Sequence, residues 1–265
     1  MLQQKEFFSI EEFDDIQFNF DSKTQNKLKK KMMKKERKQQ SLENSLRQFT
    51  LKNIAPKTKN QTVAFEEYFQ EKNLLLHGVA GTGKTFISLY LALNDILRGQ
   101  GDKKRVVIVR SVVPTRDMGF LPGTQAEKTA VYEQPYMSIC NELFGRADAY
   151  GILKQKGVIE FISTSFIRGL TLNDSIVIVD ECQNMNFHEL DSVITRFGDN
   201  SRVCFCGDFR QSDLVRESEK EGINTFMRVI GHMPSFGSVE FQKEDIVRSP
   251  LVKEYILSKL DEGIV

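Results

Sequence analysis

Three short stretches of the chain carry residue types and spacings suited to phosphate chemistry. The first, residues 74–85, reads LLLHGVAGTGKT. It satisfies G-x-x-x-x-G-K-[ST] through Gly78, Val79, Ala80, Gly81, Thr82, Gly83, Lys84 and Thr85. Glycines let the backbone curl so that successive N–H groups converge on a phosphate, and a following helix adds the positive end of its dipole. Lys84 can then reach β- and γ-phosphates, and the Thr85 hydroxyl can hold Mg²⁺. The second stretch, IVIVDECQ, puts Asp180 at the end of an apolar run, where it can bind Mg²⁺ directly or through water. Glu181 follows it and is placed to orient or deprotonate an attacking water. The third, VCFCGDFRQ, offers Gln211 as an amide that positions water near a γ-phosphate. A glycine-rich turn before an ordinary helix would explain the first stretch alone, and a surface acid pair the second. Together they describe a nucleoside-triphosphate site.

Such groups need strands that end side by side. The apolar run 74–76 reads as a strand into the loop, and FISLYLALNDIL as the helix after it, stopped by Gly99 and Gly101. Residues 106–110, 158–164, 175–181 and 202–208 read as further buried strands, and 239–242 as the last. Helices are expected at 62–70, in MSICNELFG, in FHELDSVITRF and in PLVKEYILSKL. Residues 111–136 show no clear period and read as loops or a small hairpin. Strands alternating with helices predict an α/β fold, a parallel sheet flanked by helices with its ligand at the carboxyl ends of the strands.

Composition bounds the partners. The chain has 265 residues, 40% hydrophobic and 28% charged, as in a globular protein. Its net charge of +1 does not announce a nucleic-acid binder, but the charge is unevenly spread. Residues 1–50 read as a distinct charged extension, partly helical or disordered, ahead of a nucleoside-triphosphate domain at 51–265. Phenylalanines and acids open this extension, and KLKKKMMKKERKQQ follows. The basic block at 27–38 fits either a solvated run or an electrostatic arm for nucleic-acid phosphates. Cys140, Cys182, Cys204 and Cys206 include no C-x-x-C pair and read as core residues in a reducing compartment. His77, His188 and His232 are too scattered for a metal site. With no long apolar run and no signal-peptide core, the expected location is the cytoplasm.

Read together, GVAGTGKT, DECQ and GDFRQ resemble the first RecA-like lobe of superfamily-one helicases. GFLPGTQAEK with PY, FIRGLTLNDSIVIVDECQN and CGDFRQSDL are similar to the PhoH-like family of ATPases, found in bacteria and bacteriophages, over roughly residues 50 to 260. Cys182 stands where that family commonly has alanine, and Leu170 where it commonly has a second arginine. The resemblance implies a single RecA-like P-loop NTPase domain that hydrolyses ATP with Mg²⁺ and acts on nucleic acid, RNA before DNA, in a bacterial or phage-infected cytoplasm. It gives Gln61 the part of an adenine-reading amide, in keeping with the lack of an NKxD guanine motif. It makes Arg110, Ser111, Arg116, Lys128 and Arg168 candidates for nucleic-acid contact. Arg248 in DIVRSPLV becomes an arginine finger. One set of motifs leaves no room for a second lobe, so a homo-oligomeric ring, a hexamer, is expected to present Arg248 to a neighbour's nucleotide. A DNA-directed motor and a nucleotide-gated regulator of a protein partner remain the rival readings, with a P-loop kinase more remote.

Overall fold

The computed structural model describes residues 49–99, 102–112, 125–209 and 217–263. Met1–Thr50 and Leu51–Val265 separate as two units. The basic block at 27–38, Arg116 and Gln211 lie outside the described residues, as does the side chain of Lys128.

Helix α1 (Lys59–Phe69) is capped by Thr58, whose hydroxyl accepts from the Gln61 N–H at 3.3 Å. Strand β1 (Asn73–Gly78) then feeds α2 (Lys84–Arg98), which Gly99 ends in the left-handed conformation. Strand β2 (Arg105–Arg110), helices α3 (Gln125–Phe144) and α4 (Ala149–Gln155), and strand β3 (Ile159–Ser163) follow. Next come β4 (Ser175–Asp180), α5 (Phe187–Ile194), β5 (Arg202–Gly207), α6 (Glu217–Gly231), β6 (Phe236–Phe241) and α7 (Pro250–Asp261).

The strands form one six-stranded sheet in the order β3-β2-β4-β5-β1-β6, and every pairing is parallel. Both β4 and β5 are buried along their whole length, as parallel strands covered on two faces should be. Alternation sends Leu75, Val107, Val177, Val179, Val203 and Phe205 into one core with Leu190 and Val193 of α5 and Ile223, Phe226 and Ile230 of α6. The opposite face carries Cys204 and Cys206 against α2, where Ser88 Oγ lies 3.2 Å from Cys206 Sγ. All four cysteines are unpaired and buried, and burial pushes their thiols up, Cys140 and Cys204 to about 12. They are packing residues.

Strand order is what assembles the site. Strand β5 sits between β1 and β4, with His77 level with Gly207 and Val179 level with Phe205. The carboxyl ends of the phosphate-loop strand and the acid-bearing strand therefore open on one edge with β5 between them. Neighbouring strands lie about 4.8 Å apart, so the two ends stand about 10 Å from each other.

The sheet and its α/β class are as expected, but some elements differ from the sequence reading. Residues 125–136, expected within a loop or hairpin, belong to α3, which runs for 20 residues with Pro135 inside. A proline inside a helix removes a hydrogen bond to the carbonyl four residues back, at a cost of about 3 kcal/mol. Here that carbonyl belongs to Val131, itself 48% exposed, so water can satisfy it. Tyr136, Cys140 and Leu143, all fully buried, offset the cost on the other face. Strand β6 starts at Phe236, three residues before the expected 239. Gly237 allows this, because a side chain there would collide with Glu67 of α1. Helices α4 and α6 had no counterpart in the sequence reading.

Candidate active site

The loop after β1 is shaped by glycines with positive φ: 112° at Gly78, 77° at Gly81 and 86° at Gly83. At Gly78 the requirement is also steric, since a Cβ would run into the Phe241 backbone of β6. Val79 N–H donates to Phe241 O at 3.0 Å and fixes the loop to that strand. Lys84 opens α2, and its ammonium turns back into the loop, donating to Gly78 O at 2.9 Å and Val79 O at 2.8 Å. Burial lowers its pKa from the ordinary lysine value, against the opposing pull of Asp208, Glu181 and Asp180. The lysine thus sits at the focus of the loop, beside the N-terminus of a 15-residue helix whose first N–H groups lack intrahelical partners.

Thr85 and Asp180 meet across the sheet, with the Thr85 hydroxyl donating to Asp180 Oδ1 at 2.7 Å. The other carboxylate oxygen, Oδ2, accepts from the Tyr136 hydroxyl of α3 at 2.8 Å. Burial raises the Asp180 pKa and the neighbouring Glu181 raises it further, while Thr85, Tyr136 and Arg110 oppose. A buried acid made costly by desolvation and a like charge is a seat for a cation. A hydroxyl and one carboxylate, beside a phosphate loop, match Mg²⁺, which binds through few protein oxygens and takes the rest from phosphate and water. Among the described residues there is no cluster of three or more His, Cys, Asp or Glu that could hold a metal by itself.

Glu181 adopts φ 51° and ψ 40°, a left-handed conformation that costs a non-glycine residue about 1–3 kcal/mol. Gln183 holds it from the next turn: Nε2 donates to Glu181 Oε2 at 2.6 Å, and Oε1 accepts from the Asp208 N–H at 3.1 Å. One buried amide thus ties the acid after β4 to the end of β5. Gly207 makes room for it, because a Cβ there would stand 2.9 Å from Gln183 Oε1.

Gln61 lies at the other end of the cleft. Its Nε2 donates to Thr82 O at 2.9 Å and its Oε1 accepts from Lys57 N–H at 2.8 Å. Each amide atom keeps one further hydrogen-bonding position. Arg248, which the sequence reading assigned to a neighbour's nucleotide, lies across the phosphate loop of its own chain. Val247 N–H donates to Gly81 O at 3.0 Å, and a Cβ on Gly81 would stand only 3.0 Å from Arg248 Cγ. The turn after β6 is pinned to the loop because β6 and β1 are paired neighbours. Asp245 secures this turn to α1, accepting from Asn60 Nδ2 at 2.7 Å and Gln242 N–H at 2.9 Å.

One cleft of about 600 Å³ gathers Gln61, Lys84, Thr85, Asp180, Glu181 and Arg248. Of the nucleic-acid candidates, the described Arg110, Ser111 and Arg168 do not line this cleft. Arg110 is half-buried, its guanidinium carbon 5.8 Å from the Tyr132 ring centre, and its charge interacts with the Tyr136 hydroxyl. Ser111 also turns inward, buried, its hydroxyl 3.4 Å from Glu189 Oε1, which Thr164 approaches at 2.8 Å. Arg168 is exposed in the turn after β3, between Phe166 at 54% and Leu170 at 40% exposure. Tyr136 and Gln183 carried no role in the sequence reading. For Gln183 the signal was available, an amide two residues past Glu181. For Tyr136 only its place in the PY pair hinted at more.

The fold and the site's geometry agree with a match of residues 53–258 to the family described as PhoH-like protein. The chain belongs to the PhoH-like family. The PhoH-like protein of Mycobacterium leprae is 32% identical over 210 residues, 77% of this chain and 58% of that protein. That of Bacillus subtilis is 32% identical over the same length and covered to 63%, and protein PhoH of Escherichia coli K12 is 34% identical over 176 residues and covered to 49%. This PhoH-like chain therefore spans about half to three-fifths of the length of the curated relatives it matches. Among solved structures it is similar to the large terminase of bacteriophage D6E in complex with ADP. There the TM-score is 0.44 and the identity 13%, over 76% of this chain and 49% of that one. A Pif1 helicase from Bacteroides gives a TM-score of 0.35 at 13% identity, over 80% and 48%. The architecture of this chain is a six-stranded parallel sheet flanked by helices, with a glycine-shaped phosphate loop after β1.

Proposed function

We propose that this PhoH-like chain hydrolyses ATP with Mg²⁺ and couples turnover to nucleic acid, RNA before DNA. The observation that carries the first half is the convergence of Lys84, the Thr85–Asp180 pair and Glu181 on one cleft. Lys84 and the loop N–H groups neutralise the β- and γ-phosphates. Thr85 and Asp180 hold the cation, which when bound draws charge from the phosphate oxygens. Glu181 takes the proton of a water that attacks the γ-phosphorus, the bond from that phosphorus to the β–γ bridging oxygen breaks, and ADP carries the bridging oxygen away. Gln183 keeps the acid aimed. Arg248, from the same chain, meets the charge that develops on the transferred group. Gln61 uses its remaining N–H and lone pair to read adenine N7 and N6.

Support for the second half comes from the family resemblance and from exposed Arg168, with Arg116, Lys128 and the basic extension at 27–38 as further phosphate contacts. The test is steady-state ATPase activity with Mg²⁺, alone and with single-stranded RNA, single-stranded DNA or duplex. The reading expects stimulation by single-stranded RNA above the others. Stimulation by DNA alone would move the assignment to a DNA-directed motor. Turnover indifferent to every polymer would reduce it to a nucleotide-gated regulator, and no turnover at all would overturn it.

A further inference from the structure

Both oxygens of Asp180 are committed, and to partners of different kinds. Oδ1 faces Thr85, the hydroxyl beside the phosphate loop, at 2.7 Å. Oδ2 faces Tyr136, which belongs to α3 and not to the loop, at 2.8 Å. Tyr136 has no freedom to leave. It is fully buried, its ring centre lies 5.9 Å from that of Phe161 on β3, and the Arg110 guanidinium acts on its hydroxyl electrostatically from β2. Arg110 is in turn set against Tyr132, one helical turn before Tyr136 on α3. The arrangement is a relay from α3 through a phenol to one oxygen of the metal-binding carboxylate.

The consequence is a matter of denticity. A carboxylate with both oxygens free can grip a cation with two, as Ca²⁺ often requires of its 6–8 ligands at 2.3–2.6 Å. Mg²⁺ is held at about 2.0–2.1 Å in a strict octahedron, keeps several waters and needs one carboxylate oxygen. We infer that Tyr136 is a positioning residue that sets the cation preference of this site: by occupying Oδ2 it leaves Asp180 a one-oxygen ligand, which suits Mg²⁺ and disfavours Ca²⁺. This rests on the proposed Mg²⁺–nucleotide site. Arg110 serves the relay by fixing the phenol, which explains why it points inward instead of toward a nucleic-acid strand.

The experiment reads equilibrium binding of a fluorescent ADP analogue to the full chain without metal, with Mg²⁺ and with Ca²⁺. Wild type is compared with Tyr136→Phe, which keeps the ring and removes the hydroxyl, and with Arg110→Gln, which loosens it. In wild type Mg²⁺ tightens nucleotide more than Ca²⁺ does. In Tyr136→Phe metal-free affinity stays within about twofold, while the Mg²⁺-over-Ca²⁺ preference falls by about tenfold, the scale of one lost charge-assisted hydrogen bond. Arg110→Gln falls between the two. A merely structural tyrosine would shift metal-free, Mg²⁺ and Ca²⁺ affinities together. An unchanged preference in both variants overturns the role of Tyr136 and leaves the site assignment standing. If neither cation affects nucleotide binding in wild type, the metal site itself is wrong and the inference falls with it. Should Tyr136→Phe not fold, Arg110→Gln alone decides, since an unaltered preference there breaks the relay.

Discussion

At the ends of β1, β5 and β4, polar side chains bond to groups on other elements: Lys84 to the loop carbonyls, Thr85 to Asp180, Gln183 to Glu181 and to Asp208 N–H. Past the end of edge strand β3 the side chains face water. Phe166 and Leu170 are exposed on either side of Arg168, and among the described residues no carboxylate pairs with that arginine. Buried Ile167 anchors the turn, so the exposed groups are presented on a fixed support. Buried polar groups must be satisfied, and satisfying them across strands fixes their geometry to a fraction of an ångström. That suits chemistry on a small transition state. An exposed aromatic beside an unpaired guanidinium suits a long, variable partner, with stacking for bases and charge for phosphates. Between the two regions lies β2, whose Arg110 faces Tyr132 and Tyr136 of α3 and whose neighbour Ser111 approaches Glu189.

Variants in the cleft should cost orders of magnitude in turnover, and variants at the edge should cost only polymer affinity. The largest effect is expected for Arg248→Ala, with ATP still bound and kcat reduced by about 10³-fold or more, the scale of an arginine that meets the transferring phosphate. Because Arg248 lies on its own loop, mixing Arg248→Ala with Lys84→Ala should restore nothing. Recovery in the mixture, with subunit exchange shown, would place the arginine in a neighbour's site after all.

Next, Glu181→Gln should bind ATP normally and lose about 10²- to 10⁴-fold in kcat, while Lys84→Ala should fail at binding. Equal loss of affinity in the two variants, measured by calorimetry, would undo the division of roles between ground-state contact and water activation.

At the edge, Arg168→Ala should leave basal hydrolysis unchanged and flatten the salt dependence of single-strand binding by roughly one unit of slope. Phe166→Ala should weaken that binding by roughly tenfold, near the middle of the range for one stacked base. If both variants bind as wild type does, the turn after β3 is not where the polymer lies.

The smallest effect concerns Asp245, the tie between α1 and the turn that carries Arg248. Burial pushes its pKa up, but hydrogen bonds from Thr58, Gln242 N–H and Asn60 outweigh this and hold it below the ordinary aspartate value. A depressed carboxylate stabilises the fold above its unfolded pKa of about 3.9 and loses that contribution as pH falls through the folded value. Asp245→Asn should therefore lower Tm by about 2 °C at neutral pH, with the gap closing below about pH 4. A difference that persists in acid would mean that the carboxylate's charge is not what secures the turn.

What was legible in the sequence was local. The phosphate loop could be read because its conformation depends on glycines at fixed offsets, and Gly78, Gly81 and Gly83 do take positive φ. The buried strands could be read because a parallel strand covered on both faces is apolar through its middle, as β4 is over 176–179 and β5 over 203–206. Where local preference and tertiary contact disagreed, contact decided. Pro135 argued against a helix, and the burial of Tyr136, Cys140 and Leu143 prevailed. The pairings that define the cleft lie beyond any local pattern. Thr85 and Asp180 are 95 positions apart, Tyr136 and Asp180 are 44, and Gly81 meets Val247 only because β6 pairs with β1. Strand order and register set those meetings. They follow from how the apolar faces of the whole chain pack, so only the folded sheet could show that Arg248 lies on its own loop and that Tyr136 bonds Asp180.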